Sequence, residues 1–504
     1  MARTLARHDA LFPLEHLEVA PVVVALARRL AGSRAPESAT GRPGQRLARA
    51  LNEAGPSFIK LGQAISTRSD LLGEEMAEDL SKLQDRLPAF PTHEARAPIE
   101  KELGQPVDDL FSRFDDKAVA AASIAQVHFA VTTEGEEVAV KVLRPGIEAA
   151  FQRDLELMRW VAGLIDTAKP DLRRLKLPDC VDTLAETVEM EMDLRLEAAA
   201  AAEIGDNFAG DEEFRVPEVD WRRTERRVLT TARLVGIPLD ERDAIVVAGH
   251  NPKVVLEKAS RATFKQVFRD GFFHADVHPG NLFVMEDGVI GAVDFGIMGR
   301  LDLKTRRALG EMLLAFLTRD YRRAAEVHFE AGWVPQHRSV DSFTQVCRSI
   351  AEPILDKPQN EISIARLLGQ LFQVTETFQM ETQPQLLLLQ KTMLVAEGTG
   401  RRLFPEANMW FLARPLIEGW MAENLGPDAR IRDTVSGLAD AVDRLPRMFD
   451  GIEESASMLS GGRLRLHPET FAALKRENGS GRGLPALWLI ILALLAVLVF
   501  IKLT

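Results

Sequence analysis

Hydrophobic positions along this chain change period several times, and each change predicts an element. Leu47, Leu51, Phe58, Leu61 and Ile65 recur at helical intervals, broken at Gly55-Pro56. Val138, Val140, Val142 and Leu143 frame Lys141, the pattern of a strand after the polar turn Glu134-Gly135-Glu136. Residues 147–169 then read as a helix whose apolar face is Phe151, Leu155, Leu157, Met158, Val161 and Leu164. Residues 186–197 read as an acidic helix, and 216–219 and 227–231 as two strands. Residues 231–238 follow as a connector between two lobes. Apolar runs at 282–285 and 289–290 flank Asp287-Gly288, a pair that favours a tight hairpin turn. After Gly296 the pattern is almost entirely helical through residue 440.

The two ends differ from this body. Residues 20–27 are apolar but too short to cross a bilayer, and Arg28, Arg29 and Arg34 follow them. That segment is either an amphipathic arm or a helix packed on the body. Residues 484–501 carry no charge over 18 positions, about 27 Å as a helix at ~1.5 Å per residue, which matches a bilayer's hydrocarbon core. Trp488 and Lys502 stand where interfacial anchors belong. Lys475, Arg476 and Arg482 precede the segment, so the positive-inside rule places the body in the cytoplasm. Charged residues interrupt the N-terminus, and no secretory signal is expected.

At 504 residues with 46% hydrophobic positions, the chain can bury a large core. Its 62 Lys+Arg against 74 Asp+Glu give a net charge of −12, which argues against nucleic acid as the main partner. Cys180 and Cys347 are the two cysteines, too few for a metal cluster, and each reads as a structural residue. No GxGxxG follows a strand, which leaves a flavin or nicotinamide enzyme without support.

The chemistry concentrates between residues 273 and 296. Asp276 and Asn281 are five apart, and Asp276 and Asp294 are 18 apart. Phosphoryl-transfer sites of the protein-kinase type space their residues this way: an Asp near the attacking group, then an Asn and a second Asp that hold Mg2+. Val138-Ala139-Val140-Lys141 resembles the strand whose lysine holds the nucleotide phosphates. That lysine requires a glutamate partner, for which Glu191 and Glu197 are the candidates. Six apart on a helix, they would point about 120° from one another. Lys60 and Gln63 lie on one helix face, with Gly62 permitting a close approach. They are either a solvated face or part of a site. Ala275 stands in place of the arginine of His-Arg-Asp and no Ala-Pro-Glu follows Gly296, which removes the usual means of presenting a protein substrate.

Together these stretches resemble the UbiB family of atypical kinase-like proteins, linked to ubiquinone (coenzyme Q) biosynthesis. The resemblance runs from about residue 46 to the C-terminus. It rests on Lys60-Leu61-Gly62-Gln63 (the family's KxGQ signature), the alanine-rich stretch 120–128, the Lys141 strand, Glu191-Met192-Asp193 with Glu197, His274-Ala275-Asp276 with Asn281, and Asp294-Phe295-Gly296. It implies an α+β, atypical two-lobed protein-kinase-like fold with an N-terminal helical extension and a C-terminal transmembrane helix. The expected division is 1–45 arm, 46–110 extension, 111–235 N-lobe with a helical insertion, 236–470 helical C-lobe, 471–483 linker and 484–501 anchor.

The resemblance further implies ATP and Mg2+ as cofactors. Ala121, Ala122, Ser123 and Ala125 would border the nucleotide with Lys141. Lys60 and Gln63 would fold over it, and Asn281 and Asp294 would hold the metal. Asp276 would orient the nucleophile, with Glu191 or Glu197 orienting Lys141. The implied activity is that of an ATPase which exposes or acts on lipid precursors, anchored by a single C-terminal pass in the bacterial inner membrane. Its implied partners are a membrane lipid or quinone precursor and other quinone-biosynthesis enzymes. A nucleotide-binding scaffold without turnover and a protein kinase are the alternatives. Two positions depart from the family's usual residues: Ala200, where Asn is common, and Ala232, where the connector is usually acidic.

Overall fold

The computed structural model describes residues 2–10, 41–66, 74–81, 83, 87–168, 177–355, 374–375, 377–380, 383–407 and 409–425. Residues 20–27, the helical pattern beyond residue 425 and the proposed anchor at 484–501 lie outside them. Among the described residues, no helix is long and apolar enough to cross a membrane.

The N-terminal pattern folds as read. Helices Pro43–Ala54 and Pro56–Ser66 meet at Gly55, whose φ of 112° a side chain would resist. Pro56 opens the second helix, where its missing N–H costs nothing. Gly62 lets that helix lie close to its neighbours: a Cβ there would run into the side chains of Leu51 and Leu83. The close approach foreseen at Gly62 is therefore made by packing side chains.

The N-lobe sheet is antiparallel, in the order Phe111–Phe114, Ala125–Thr132, Glu137–Leu143 and Val228–Ala232, with Ala120–Ala121 paired to Ala125–Thr132. Alternation along Glu137–Leu143 buries Val138, Val140 and Val142 among Ile99, Val107, Phe111 and Val228. Lys141 consequently points to the other face, toward the lobe interface. The inserted helix spans Ile147–Ala168 and buries Phe151, Leu155, Met158, Ala162 and Ile165. Helices Leu177–Glu191 and Leu194–Asn207 complete the lobe.

One predicted strand needs correcting. Residues 216–219 make only a single bridge, Val219 to Thr231, and the ordered pairing falls on Phe214–Arg215 instead. Pro217 has no N–H to offer a ladder. Phe214–Arg215 joins Ile290–Ala292, Leu282–Met285 and Gly236–Pro238 in a second sheet. There the Asp287-Gly288 turn closes its hairpin, with Gly288 at φ 74°.

Beyond the strands of that second sheet, the described part of the C-lobe is helical except for one short pair, Phe272–His274 with Met298–Arg300, which lies just where the site residues begin. Helices Leu303–Leu317, Tyr321–Glu330, Val340–Ala351, Pro384–Leu403 and Met409–Leu425 follow. Cys347 is buried among them, and burial pushes its thiol up to about 12, as befits a structural residue, while Cys180 is half-buried.

His328 is buried in the C-lobe, edge-on to Trp333 and Phe343, and its Nδ1–H donates to the Ala324 carbonyl at 2.7 Å. Burial holds its pKa below the ordinary 6.5. It stays neutral in the fold while the unfolded chain takes up a proton, so its contribution is full above 6.5 and is lost as pH falls toward the lowered folded value. Denaturation of wild type beside His328→Leu checks this. The difference in stability should shift against the wild type between about pH 7.5 and about pH 5.5. A pH-independent difference contradicts it.

Candidate active site

Lys141 is the hub. Its Nζ donates to both Glu197 oxygens at 2.8 and 2.9 Å and to Asp294 Oδ1 at 2.9 Å. Burial alone would push this ammonium down, but Asp294 and Glu197 override it and hold the pKa above that of an ordinary lysine. Glu197 moves the other way: burial pushes it up to about 7, against the pull of Lys141. Asp294 is held below the usual carboxylate range, chiefly by Lys141. The Asp294 side chain is 48% exposed.

Glu191 and Glu197 serve different lysines. Glu191 pairs with Lys60 at 2.8 Å, while Glu197 takes Lys141. The separation of about 120° holds only on one continuous helix, and the chain turns at Met192-Asp193. Asp193 caps a new helix by accepting the Arg195 N–H at 3.2 Å, and Glu197 lies in its first turn, where the helix dipole favours a carboxylate.

The helix carrying Lys60 is fastened to the N-lobe insertion as well, by Ser57 Oγ donating to Asp154 at 2.6 Å. Lys60 is near enough to contribute to the lowering of the Asp294 pKa. Gln63 reaches a different place: its Nε2 donates to the Leu83 carbonyl at 3.4 Å.

The alanine-rich turn is pinned from below. Ala122 N–H donates to the Ala125 carbonyl at 2.8 Å, and the Ala122 carbonyl accepts from Arg144 Nε at 3.1 Å and Nη2 at 2.8 Å. Ala121 pairs with Gln126 across the ladder. Gln126 also ties the turn to the N-terminal extension, accepting the Phe90 N–H at 2.9 Å and donating to the Phe90 carbonyl at 3.2 Å. Ser123 Oγ is buried and has no hydrogen-bond partner among the described residues. A buried hydroxyl left without a partner costs free energy that a phosphate oxygen would recover.

On the C-lobe side, one neutral histidine ties the two acidic residues' loops together. His274 Nδ1 accepts the Asp276 N–H at 3.1 Å and its Nε2–H donates to the Val293 carbonyl at 3.2 Å, partners that assign the tautomer. Burial holds the ring neutral by lowering its pKa. Asn281 Nδ2 donates to the Asp276 carbonyl at 3.2 Å, and the Asn281 carbonyl accepts from Val293 N–H at 2.9 Å, one residue before Asp294. Asp294 itself sits at φ 64°, a left-handed conformation that costs a non-glycine residue about 1–2 kcal/mol.

Among the described residues, no group of three or more His, Cys, Asp or Glu side chains could cage a metal. One amide and one carboxylate, Asn281 and Asp294, are instead a donor set that suits Mg2+ shared with phosphate oxygens.

Comparison with known proteins identifies the family. An ABC1 atypical kinase-like domain model matches residues 82–328 and a UbiB helical domain model matches 347–408. A curated relative from Marinobacter nauticus, named "Probable protein kinase UbiB", is 44% identical over 440 residues, covering 86% of this chain and 80% of its own. The chain belongs to the UbiB family. A second UbiB relative, from Vibrio parahaemolyticus, is 40% identical and covers 94% of this chain and 88% of its own. Among solved structures, a Mycobacterium tuberculosis protein in complex with erythromycin is similar at 26% identity and a TM-score of 0.52, over 79% of this chain and 97% of its own. The fold of this UbiB protein is the atypical kinase-like one, a mixture of helix and sheet.

One site residue escapes a sequence reading. Lys391 Nζ, from the Pro384–Leu403 helix, donates to Asp276 Oδ1 at 3.1 Å. It is a single lysine in a leucine-rich stretch 115 residues from its partner, and no spacing motif marks it.

Proposed function

We propose that this UbiB protein binds Mg-ATP between its lobes and hydrolyses it in support of ubiquinone biosynthesis, making lipid precursors in the membrane available to other enzymes. The observation that carries the reading is Lys141 held between Glu197 and Asp294, a cation placed for phosphates and tied to a carboxylate placed for metal. Asn281 and Asp294 would hold Mg2+, which would supply charge neutralisation at the phosphates. Ser123 and Lys141 would bind the phosphates, Glu197 would keep Lys141 aimed, and Asp276 would orient the attacking water.

Hydrolysis is favoured over transfer to a protein. Ala275 and the absent Ala-Pro-Glu remove a peptide-docking segment, and the Lys60–Glu191 pair fastens the extension helix beside the nucleotide residues. The uncharged segment 484–501 supports a single C-terminal pass in the bacterial inner membrane with the body cytoplasmic.

Phosphate release from the full-length protein in liposomes, with and without a polyprenylated quinone precursor, tests the reading. Wild type should turn over and respond to the lipid. Asp276→Asn should fall by about two orders of magnitude or more, the scale of losing a positioned base. Equal rates for the two proteins would make the protein a nucleotide-binding scaffold instead.

A further inference from the structure

Asp276 can orient a nucleophile only if its own carboxylate has a fixed direction. Its backbone is well held: the N–H by His274, the carbonyl by Asn281 Nδ2 at 3.2 Å and by the His278 N–H at 2.7 Å. None of these bonds fixes the side chain. The nearest basic candidate in the same loop, His278, is turned back on itself, its Nδ1 accepting the Gly280 N–H at 3.1 Å. Lys141 and Lys60 are engaged with Glu197 and Glu191. The bond that does fix Asp276 comes from outside the kinase-like domain, from Lys391 at 3.1 Å.

Lys391 stands on a helix that packs against helix Pro252–Phe264 and strand Met298–Arg300, the strand paired with the one that leads into Asp276. Its side chain remains 43% exposed, and that of Asp276 36%. The pair therefore sits at an open mouth, where a ligand can reach it. Lys391 occupies Oδ1 only. Among the described residues, Oδ2 takes no hydrogen bond and is left for a nucleophile.

We infer that Lys391, supplied by the UbiB helical domain, is a positioning residue for phosphoryl transfer that holds Asp276 Oδ1 so that Oδ2 faces the attacking water. The inference rests on the hydrolytic reading above. In that step the water oxygen forms the new bond to the γ-phosphorus. The bond from that phosphorus to the bridging oxygen breaks, and ADP leaves with its electron pair. The water's proton passes to Asp276 Oδ2 and then to solvent. The kinase-like domain is thus catalytically incomplete without the helix that follows it, and any shift of that helix is felt at Asp276.

The test uses the full chain in liposomes and the variants Lys391→Met, Lys391→Arg, Asp276→Asn and Lys391→Met with Asp276→Asn. Lys391→Met keeps the apolar stem, so its melting temperature should stay near wild type. Its kcat should fall about tenfold to a hundredfold, the scale of a misplaced catalytic group, with KM for ATP within about twofold. Lys391→Arg should recover much of the loss. The double variant should be no slower than Asp276→Asn alone, because the lysine acts through that carboxylate. An unchanged kcat in Lys391→Met, or a double variant slower than Asp276→Asn, overturns the inference.

Equal turnover above background in wild type and Asp276→Asn also overturns the inference, whereas if neither protein releases phosphate it is the hydrolytic reading that fails. A measurement without turnover then decides on Lys391. Weaker binding of Mg-ADP-fluoroaluminate by Lys391→Met, with Mg-ADP binding unchanged, upholds its role, and equal binding of both overturns it.

Discussion

Lys141→Met should abolish nucleotide binding and also cost more stability than an ordinary lysine substitution. Its ammonium is the partner of Glu197, whose side chain is only 9% exposed. Removing one member of a buried ion pair costs about 3–5 kcal/mol, because the remaining charge is left without compensation. Glu197 has an escape, since burial already pushes it up to about 7 and protonation would neutralise it. Without the lysine it rises further, so the penalty should be largest at about pH 8 and smaller at about pH 6. Urea denaturation of wild type and variant at both pH values checks the sign. A penalty equal at the two pH values would show that Glu197 does not depend on Lys141, and one larger at the lower pH would reverse the expected sign.

The second large effect concerns Asp294 and has a different signature. Asp294→Asn should leave the fold intact, because Lys141 keeps both hydrogen bonds to Glu197 and asparagine tolerates the left-handed backbone at φ 64°. What it should lose is the metal. Binding of ATP in the presence of Mg2+, followed by calorimetry, should weaken by about tenfold or more, about 1.4 kcal/mol or more. The effect of adding Mg2+ to ATP should disappear with it. Unchanged Mg-ATP affinity in a folded Asp294→Asn protein would remove Asp294 from the metal site.

Much of the site could be read in the chain because its elements carry local signals. Alternation at Val138, Val140 and Val142 put Lys141 on the opposite face of its strand. Asp287-Gly288 closed the hairpin that brings Asn281 back to the segment before Asp294. The intervals among Asp276, Asn281 and Asp294 needed only short connections to become a cluster. The glutamates were harder: which one serves Lys141 depends on a helix break at Met192-Asp193. The capping signal, Asp193, was present but lay inside an acidic run that read as one helix.

Two features had no local signal. The pairing at Phe214–Arg215 was set by a parallel partner at Ile290–Ala292, far along the chain. Lys391 became part of the site only through helix packing, which single-chain periodicity does not encode. Lys60 and Gln63, read together from one helix face, part company through their partners: Glu191 for the first and the Leu83 carbonyl for the second.

The central proposal is a metal-nucleotide site organised by Lys141, which lies between Glu197 and Asp294. The most direct measurement is the thermal stability of the wild type titrated with ATP in Mg2+ and in EDTA. A ligand that binds only the folded protein stabilises it by about 2.7 kcal/mol at a hundred times its Kd. The melting temperature should rise, saturate with ATP and depend on Mg2+. No rise in either condition, or an equal rise in both, would contradict the proposal.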